Sequence, residues 1–105
     1  MMSLKLIQDT VAEQYGLTRA QLLGRRRLPH IVLARHIAML LCLEMLRGVS
    51  LPQVGRWFHR DHTSVLHARD AMRRKIAVDP EFGRQVEELR QQIIKAAEPA
   101  LIAAA

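Results

Sequence analysis

Apolar residues recur along most of this chain with the spacing of an α-helix. They return every three or four positions through residues 4–15, and residues 31–47 are apolar on nearly every side. From Thr63 on, one face carries Val65, Ala68, Met72 and Ile76. The β-branched alternation and the Asn-Gly or Asp-Gly turns that mark strands are absent from the sequence. The pattern therefore predicts an all-α fold.

Capping residues and glycines divide the first half of the chain into three helices. Gly16 ends the first helix, Thr18 caps a short second helix that reaches Leu23, and Gly48 closes a long third one. Because the third helix has almost no polar side, we expect it to be central and buried.

The last helix is expected from Glu81 to about Ala97, between Asp79-Pro80 and Pro99, which would stop it. The chain should thus form one compact bundle of about five to six helices over residues 1–98. Residues 99–105 should be a frayed tail.

Two closely spaced helices in the second half suggest a helix-turn-helix at about residues 50–78. Ser50-Leu51-Pro52-Gln53 has the form of a capping box, and Asp61 or His62 can cap the helix that follows. Only a few residues, including Trp57 and Phe58 as expected core anchors, separate the two helices. Residues 60–64 would crowd the exposed start of the second helix, where a groove-reading helix presents its side chains.

Positive charge coincides with this motif. Residues 19–75 contain 12 Arg or Lys against three acidic residues, whereas the remaining residues contain four against seven, for a net charge of +6 over the chain. A basic face of this kind attracts phosphates and releases counterions, so a polyanionic partner is expected.

Several segments resemble one known family in the same order along the chain. Arg60-Asp61-His62-Thr63-Ser64-Val65-Leu66-His67-Ala68 closely resembles the signature of the C-terminal DNA-binding domain of the DnaA chromosomal replication initiator family. Ser50-Leu51-Pro52-Gln53-Val54-Gly55, Leu22-Leu23-Gly24-Arg25-Arg26-Arg27 and Arg35-His36-Ile37-Ala38-Met39 are similar to its first helix-turn-helix segment, its basic loop and the start of its central helix. The resemblance covers about residues 11–94 and implies a Trp-repressor-like helical fold that binds double-stranded DNA.

The resemblance also implies roles for particular residues. Arg60 is expected to contact DNA at the start of the recognition helix, and the major groove would receive Asp61, His62, Thr63, Ser64 and His67. The basic loop would contact phosphates or the minor groove through Arg25, Arg26 and Arg27, of which Arg27 best matches the arginine that the family inserts there. Arg35 and His36, at the start of the central helix, are expected to contact phosphates.

Phe58-His59 stands where the family usually has a Gly-Gly pair, with one residue fewer, and His36 stands where it commonly has Gln. Turn geometry and base preference could therefore differ. An alternative function stays open, in which the helical domain has only nonspecific DNA affinity and binds another protein through its C-terminal helix, or regulates transcription.

Other chemistry has little support in the sequence. The chain lacks a Gly-x-x-x-x-Gly-Lys-Ser/Thr phosphate loop, so we expect neither binding nor hydrolysis of ATP, no other cofactor and no enzyme activity. His59, His62 and His67 do not share one helix face and have no Cys-x-x-Cys companion, which argues against a metal site. Asp61, Ser64 and His67 could imitate a catalytic triad, but they lie within two turns and have no oxyanion turn.

The remaining expectations concern the setting of the protein. Cys42 should be a buried, inert thiol. The N-terminus lacks the long apolar stretch of a secretion signal, and no run approaches the ~20 apolar residues of a membrane span, so we expect a cytoplasmic monomer. The chain could occupy initiator boxes as a regulator of replication or transcription, at sites shared with a full-length initiator. It could also be an excised domain of a longer initiator, although Met1-Met2 favours a small stand-alone protein.

Overall fold

The computed structural model describes residues 2–104, with side chains from Met2 to Glu98, and over that range the fold is all-α. Six helices follow one another within the described residues: α1 Leu4–Gln14, α2 Arg19–Leu23, α3 Pro29–Met45, α4 Leu51–Trp57, α5 His62–Val78 and α6 Pro80–Ala104. The prediction of an all-α bundle containing about five to six helices is confirmed.

Local capping hydrogen bonds determine where most of the helices begin. Thr18 and Ser50 each form a complete capping box with the glutamine three residues later, Gln21 and Gln53. Asp61 rather than His62 caps α5, since its carboxylate accepts a hydrogen bond from the Ser64 amide at 2.8 Å. These interactions lie within four residues of sequence, which is why the sequence predicted them.

The core is centred on α3, as its apolar composition predicted. α3 packs against α1, α2, α4 and α5, and α6 closes the bundle against α1 and α5. The α3 side chains Ile37, Leu40 and Leu41 are fully buried. Phe58 is a core anchor as predicted, whereas Trp57 is half-buried and packs on the edge of the core.

The predicted end of the last helix was wrong. α6 does not stop before Pro99 but continues to Ala104. A proline deprives a helix of its own backbone donor and crowds the preceding turn, yet the alanine-rich continuation has the highest helix propensity and favours further turns. Fraying of residues 99–105 stays a prediction, and Ala105 lies outside the described residues.

Candidate nucleic-acid interface

A tight turn joins α4 to α5. The Arg60 amide donates to the Gly55 carbonyl at 2.8 Å, and a Cβ atom placed on Gly55 would overlap the Arg60 carbonyl oxygen. Phe58 is fully buried beneath the turn, while exposed His59 has a left-handed backbone with φ of 56°. Histidine is among the residues that accept this conformation more readily. The chain can therefore make the turn with Phe58-His59 instead of a glycine pair.

The start of α5 presents the residues expected in the major groove. Asp61, His62, Thr63, Ser64 and His67 are all exposed. The hydrogen bond from the Ser64 backbone amide is the main reason that the pKa of Asp61 lies below its usual value. Asp61 is therefore ionised at neutral pH, and a carboxylate has room for further hydrogen bonds beyond its cap.

The basic loop, residues 24–28 between α2 and α3, carries the exposed side chains of Arg25, Arg26 and Arg27. Arg35 on α3 holds the backbone of this loop. Its Nε donates to the Leu22 carbonyl at 2.7 Å, and its Nη2 donates to the carbonyls of Gly24 at 2.8 Å and Arg26 at 3.3 Å. The loop conformation is thus fixed from beneath.

The expectation that Arg35 contacts a phosphate does not fit this placement. Arg35 is only 3% exposed. Its guanidinium donates hydrogen bonds to backbone carbonyls of α2 and of the basic loop and does not face solvent. Burial, followed by the nearby charges of Arg60 and Arg27, lowers the pKa of Arg35. Sequence could not reveal this role, because an arginine is ordinarily exposed. Arg35 also lies well inside α3, which begins at Pro29, and not at its N-terminal end.

Arg60 connects the basic loop to the start of α5. Its Nη2 donates to the Gly24 carbonyl at 2.7 Å, and its Nη1 donates to the carbonyls of Phe58 at 3.0 Å and His59 at 3.2 Å. The Gly24 carbonyl therefore accepts from both Arg35 and Arg60. The sequence predicts a DNA contact for Arg60, but both terminal nitrogens of its guanidinium already donate hydrogen bonds within the protein.

A cavity of about 640 Å³ opens where the basic loop, α3 and the turn before α5 meet. Its lining contains basic, hydroxyl and apolar side chains and no carboxylate, which makes it suited to an anion. The lining residues are Arg25, Arg27, Val32, Arg35, His36, Met39, His59, Arg60 and Ser64. Arg26, Asp61, His62, Thr63 and His67 lie outside this lining, on the loop and the outer surface of α5.

His36 is half-buried in this cavity. Burial lowers its pKa most, and the charges of Arg35 and Arg60 lower it further. His36 is therefore neutral at pH 7, and one ring nitrogen can donate a hydrogen bond while the other accepts.

The pKa of His36 leads to a prediction about stability. Because the folded-state pKa lies below the unfolded value of about 6.5, the unfolded chain takes up more protons as the pH falls through that value. The free energy of unfolding should therefore decrease between about pH 7 and pH 5. Urea denaturation over this range should show a smaller decrease in His36→Gln. A decrease in His36→Gln as steep as that of the wild type would contradict the prediction.

The other features considered in the sequence are the cysteine, possible metal ligands and membrane-spanning helices. Cys42 is buried as predicted, and burial raises the pKa of its thiol to about 12. Among residues with described side chains, no group of three or more His, Cys, Asp or Glu is placed to share a metal ion. The described helices include none with both the length and the apolar character needed to cross a membrane.

The sequence reasoning missed two residues that shape the interface. Gly55 permits the close approach of Arg60, and His59 supplies the left-handed turn residue. A glycine inside a short helical pattern was the available signal for Gly55, since such a position often marks close backbone packing. For His59 the available signal was its position against the Gly-Gly pair of the family, since glycine often marks a left-handed backbone.

Comparison with known proteins agrees with this geometry. Residues 4–72, which include all of the candidate interface, match the family described as "Bacterial dnaA protein helix-turn-helix". The chain is 38% identical over 91 residues to the chromosomal replication initiator protein DnaA of Caldanaerobacter subterraneus subsp. tengcongensis, covering 87% of this chain and 20% of that protein. It is 40% identical over 90 residues to DnaA of Latilactobacillus sakei subsp. sakei, covering 85% and 20%.

A third relative, DnaA of Lactobacillus helveticus, is 41% identical over 88 residues, covering 83% of this chain and 19% of the relative. The chain spans about one fifth of the length of these relatives. The family match extends over well more than half of the chain and contains the turn, the basic loop and the start of α5. This chain therefore belongs to the bacterial DnaA helix-turn-helix family.

Proposed function

We propose that this chain binds double-stranded DNA in a sequence-specific manner at DnaA-box-like sites. The start of α5 enters the major groove, and the basic loop enters the adjacent minor groove. The observation that carries this proposal is the juxtaposition of the two elements: Arg35 and Arg60 hydrogen-bond to the same Gly24 carbonyl, so the basic loop lies beside the exposed residues that begin α5.

The exposed side chains at the start of α5 suit the edges of base pairs. Asp61 can accept a hydrogen bond from cytosine N4, and His62 can donate to or accept from a base edge. Thr63 offers a hydroxyl together with a methyl group that can pack on the thymine methyl. Ser64 keeps the hydroxyl but has no such methyl group. These residues therefore supply the base readout in the proposed complex.

The basic loop complements this readout through charge. A narrow A/T-rich minor groove concentrates negative potential and favours an inserted arginine. Arg27 is exposed and also lines the cavity, so it is the residue that we assign to the minor groove. Arg25, Arg26 and His36 would contact the backbone, which fixes register and orientation without reading sequence.

The biological role that we propose is replication initiation or its regulation, without ATPase activity. The 105 residues contain no phosphate-loop motif, and the match to the relatives is confined to about one fifth of their length. The partner is double-stranded DNA, bound by a monomer, and a full-length initiator could compete for the same sites. Enzyme activity forms no part of the proposal.

Substitutions at the start of α5 should separate base readout from general affinity. We expect His62→Ala and Thr63→Ala each to weaken binding to a matched site by roughly 1–3 kcal/mol and to relax its sequence preference. Arg26→Ala should instead weaken binding to all duplexes alike, because a backbone contact carries no base information. Fluorescence anisotropy with matched and scrambled duplexes measures both effects. Equal losses on the two duplexes for His62→Ala and Thr63→Ala would contradict the assignment.

The test of the function itself compares a duplex carrying an initiator-type box with a scrambled duplex of equal composition. Binding is measured by fluorescence anisotropy across a salt series. A preference on the order of 100-fold that persists as salt rises supports base readout. Equal, salt-sensitive binding to both duplexes would favour the alternative function, a helical domain with phosphate affinity only.

A further inference from the structure

We propose that Arg60 is a positioning residue which, together with Arg35, fixes the distance between the basic loop and the start of α5. Arg35, Arg60 and the Gly24 carbonyl oxygen together form what we call the Gly24 clamp. The clamp would make the protein selective for the number of base pairs between the minor-groove and major-groove parts of its site. This second step depends on the proposed DNA binding, whereas the clamp itself does not.

The Gly24 carbonyl is held from two sides. The Gly24 carbonyl oxygen accepts from Arg35 Nη2 at 2.8 Å and from Arg60 Nη2 at 2.7 Å. Arg35 comes from α3, and Arg60 comes from the turn before α5, 36 residues along the chain from Gly24. Charged donors make stronger hydrogen bonds than neutral ones. One backbone atom of the loop is thus attached to both neighbouring elements.

Arg60 also donates hydrogen bonds to the turn before α5. Its Nη1 binds the carbonyls of Phe58 and His59, which form the turn itself. The planar fork of a guanidinium can span the turn and the loop at once, which a single ammonium group cannot do. Arg60 therefore links the loop to the turn that orients α5, and in this way it acts as a positioning residue.

The clamp brings two positive charges close together. Arg35 and Arg60 carry like charges close enough that Arg60 lowers the pKa of Arg35. Arg27 adds to the same effect, and the cavity lining has no carboxylate to offset it. Like charges held close together without a neighbouring carboxylate repel each other in the free protein. A polyanion entering the cavity would reduce this repulsion, so the clamp is better suited to the DNA-bound state than to the free protein.

The position of the loop relative to α5 matters because successive base pairs of a duplex are displaced along the helix axis and rotated about it. One inserted base pair moves the following bases about 3.4 Å along the duplex and turns them by roughly a tenth of a helical turn. A loop held rigidly beside α5 cannot follow that displacement. A loop released from the turn could move to follow it, and the protein would then tolerate the altered spacing.

The first experiment tests the clamp without DNA. Arg25, Arg26 and Arg27 are trypsin sites within the loop, and cleavage there requires the backbone to open locally. We expect Arg60→Ala to accelerate cleavage after these residues by roughly tenfold, because a charged hydrogen bond to the loop is lost. Arg47→Ala removes the same charge from an exposed position outside the clamp and should cleave at the wild-type rate. Mass spectrometry identifies the cut.

Unchanged cleavage of the loop in Arg60→Ala would overturn the clamp. Circular dichroism on the same samples checks that the variant keeps its helices. Arg60→Lys provides a second variant that keeps the charge but loses the fork, and it should also be cleaved faster than the wild type.

The second experiment tests the spacing selectivity. Wild-type protein is titrated with a matched box and with the same box carrying one base pair inserted between its minor-groove and major-groove parts. We expect the wild type to prefer the matched box by roughly tenfold or more. Both Arg60→Ala and Arg60→Lys should reduce that preference to about threefold or less, since each releases the loop from the turn before α5.

The lysine variant separates positioning from phosphate contact. If Arg60 acted only as a positive charge at a phosphate, Arg60→Lys would keep the wild-type spacing preference, and this result would overturn the proposal. Failure of the proposed function looks different. In that case the wild type binds matched and scrambled duplexes equally, while the protease experiment still decides whether the clamp exists.

Discussion

Phe58→Ala is expected to lower the free energy of unfolding by about 3–5 kcal/mol. Phe58 is fully buried and is among the largest side chains of the core. It directly follows α4 and precedes the left-handed residue of the turn, so its ring fixes the place where the chain reverses. Removing the ring leaves a cavity that the packed helices can fill only in part.

The loss should be measured by urea denaturation followed by circular dichroism and by the fluorescence of Trp57, the single tryptophan. A domain of this kind has a total stability of roughly 5–15 kcal/mol, so the loss should be a substantial fraction of the total. Val78→Ala is the matched control, because Val78 is apolar but 81% exposed and should change stability by about 0.5 kcal/mol or less. Similar losses in both variants would show that Phe58 does not anchor the turn.

The second large effect is expected at Gly55. Gly55→Ala places a methyl group against the backbone carbonyl of Arg60, with the Asp61 carbonyl carbon only 3.3 Å away. These neighbours are backbone atoms and cannot rotate aside, so the turn must open. Alanine improves helix propensity by up to about 1 kcal/mol over glycine. Overpacking should outweigh that gain and give a net destabilisation of about 1–3 kcal/mol.

The same substitution should also impair the proposed DNA binding, because Arg60 and Asp61 belong to the turn that aims α5. Affinity for a matched duplex is expected to fall by roughly tenfold or more, in line with a displaced reading helix. Gly83→Ala is a suitable control, since its added methyl group would meet Ile76 Cγ2 at an ordinary 3.4 Å. That variant should be neutral or slightly more stable and should bind DNA normally. Equivalent behaviour of the two variants would refute the steric account.

The fold could be predicted from the sequence wherever the determining interactions are local. Ser50 with Gln53 and Asp61 with Ser64 hydrogen-bond across three residues, and the periodic apolar positions of α3 and α5 indicate their buried faces directly. Family resemblance added the arrangement of the helices, which periodicity alone does not specify. The family match confirms that resemblance.

The sequence did not indicate hydrogen bonds to distant partners, and it misplaced the end of α6, which depends on the helix propensity of several residues together. The expected phosphate ligand Arg35 binds carbonyls 9 to 13 residues away, and the carbonyl of Gly24 that Arg60 reaches is 36 residues away. Charge and position alone do not distinguish such an arginine from one that faces a phosphate. At Pro99 the helix-breaking tendency of one residue was given too much weight against the alanine-rich sequence around it.

The support that Arg35 gives the basic loop has an entropic consequence. A three-arginine loop joining two helices would ordinarily sample many backbone conformations, and binding would have to freeze them. Here two carbonyls of the loop, together with one at the end of α2, already accept hydrogen bonds from one buried guanidinium, so much of that ordering occurs when the protein folds. Preorganisation of this kind lowers the conformational cost of association and leaves more of the contact energy as affinity.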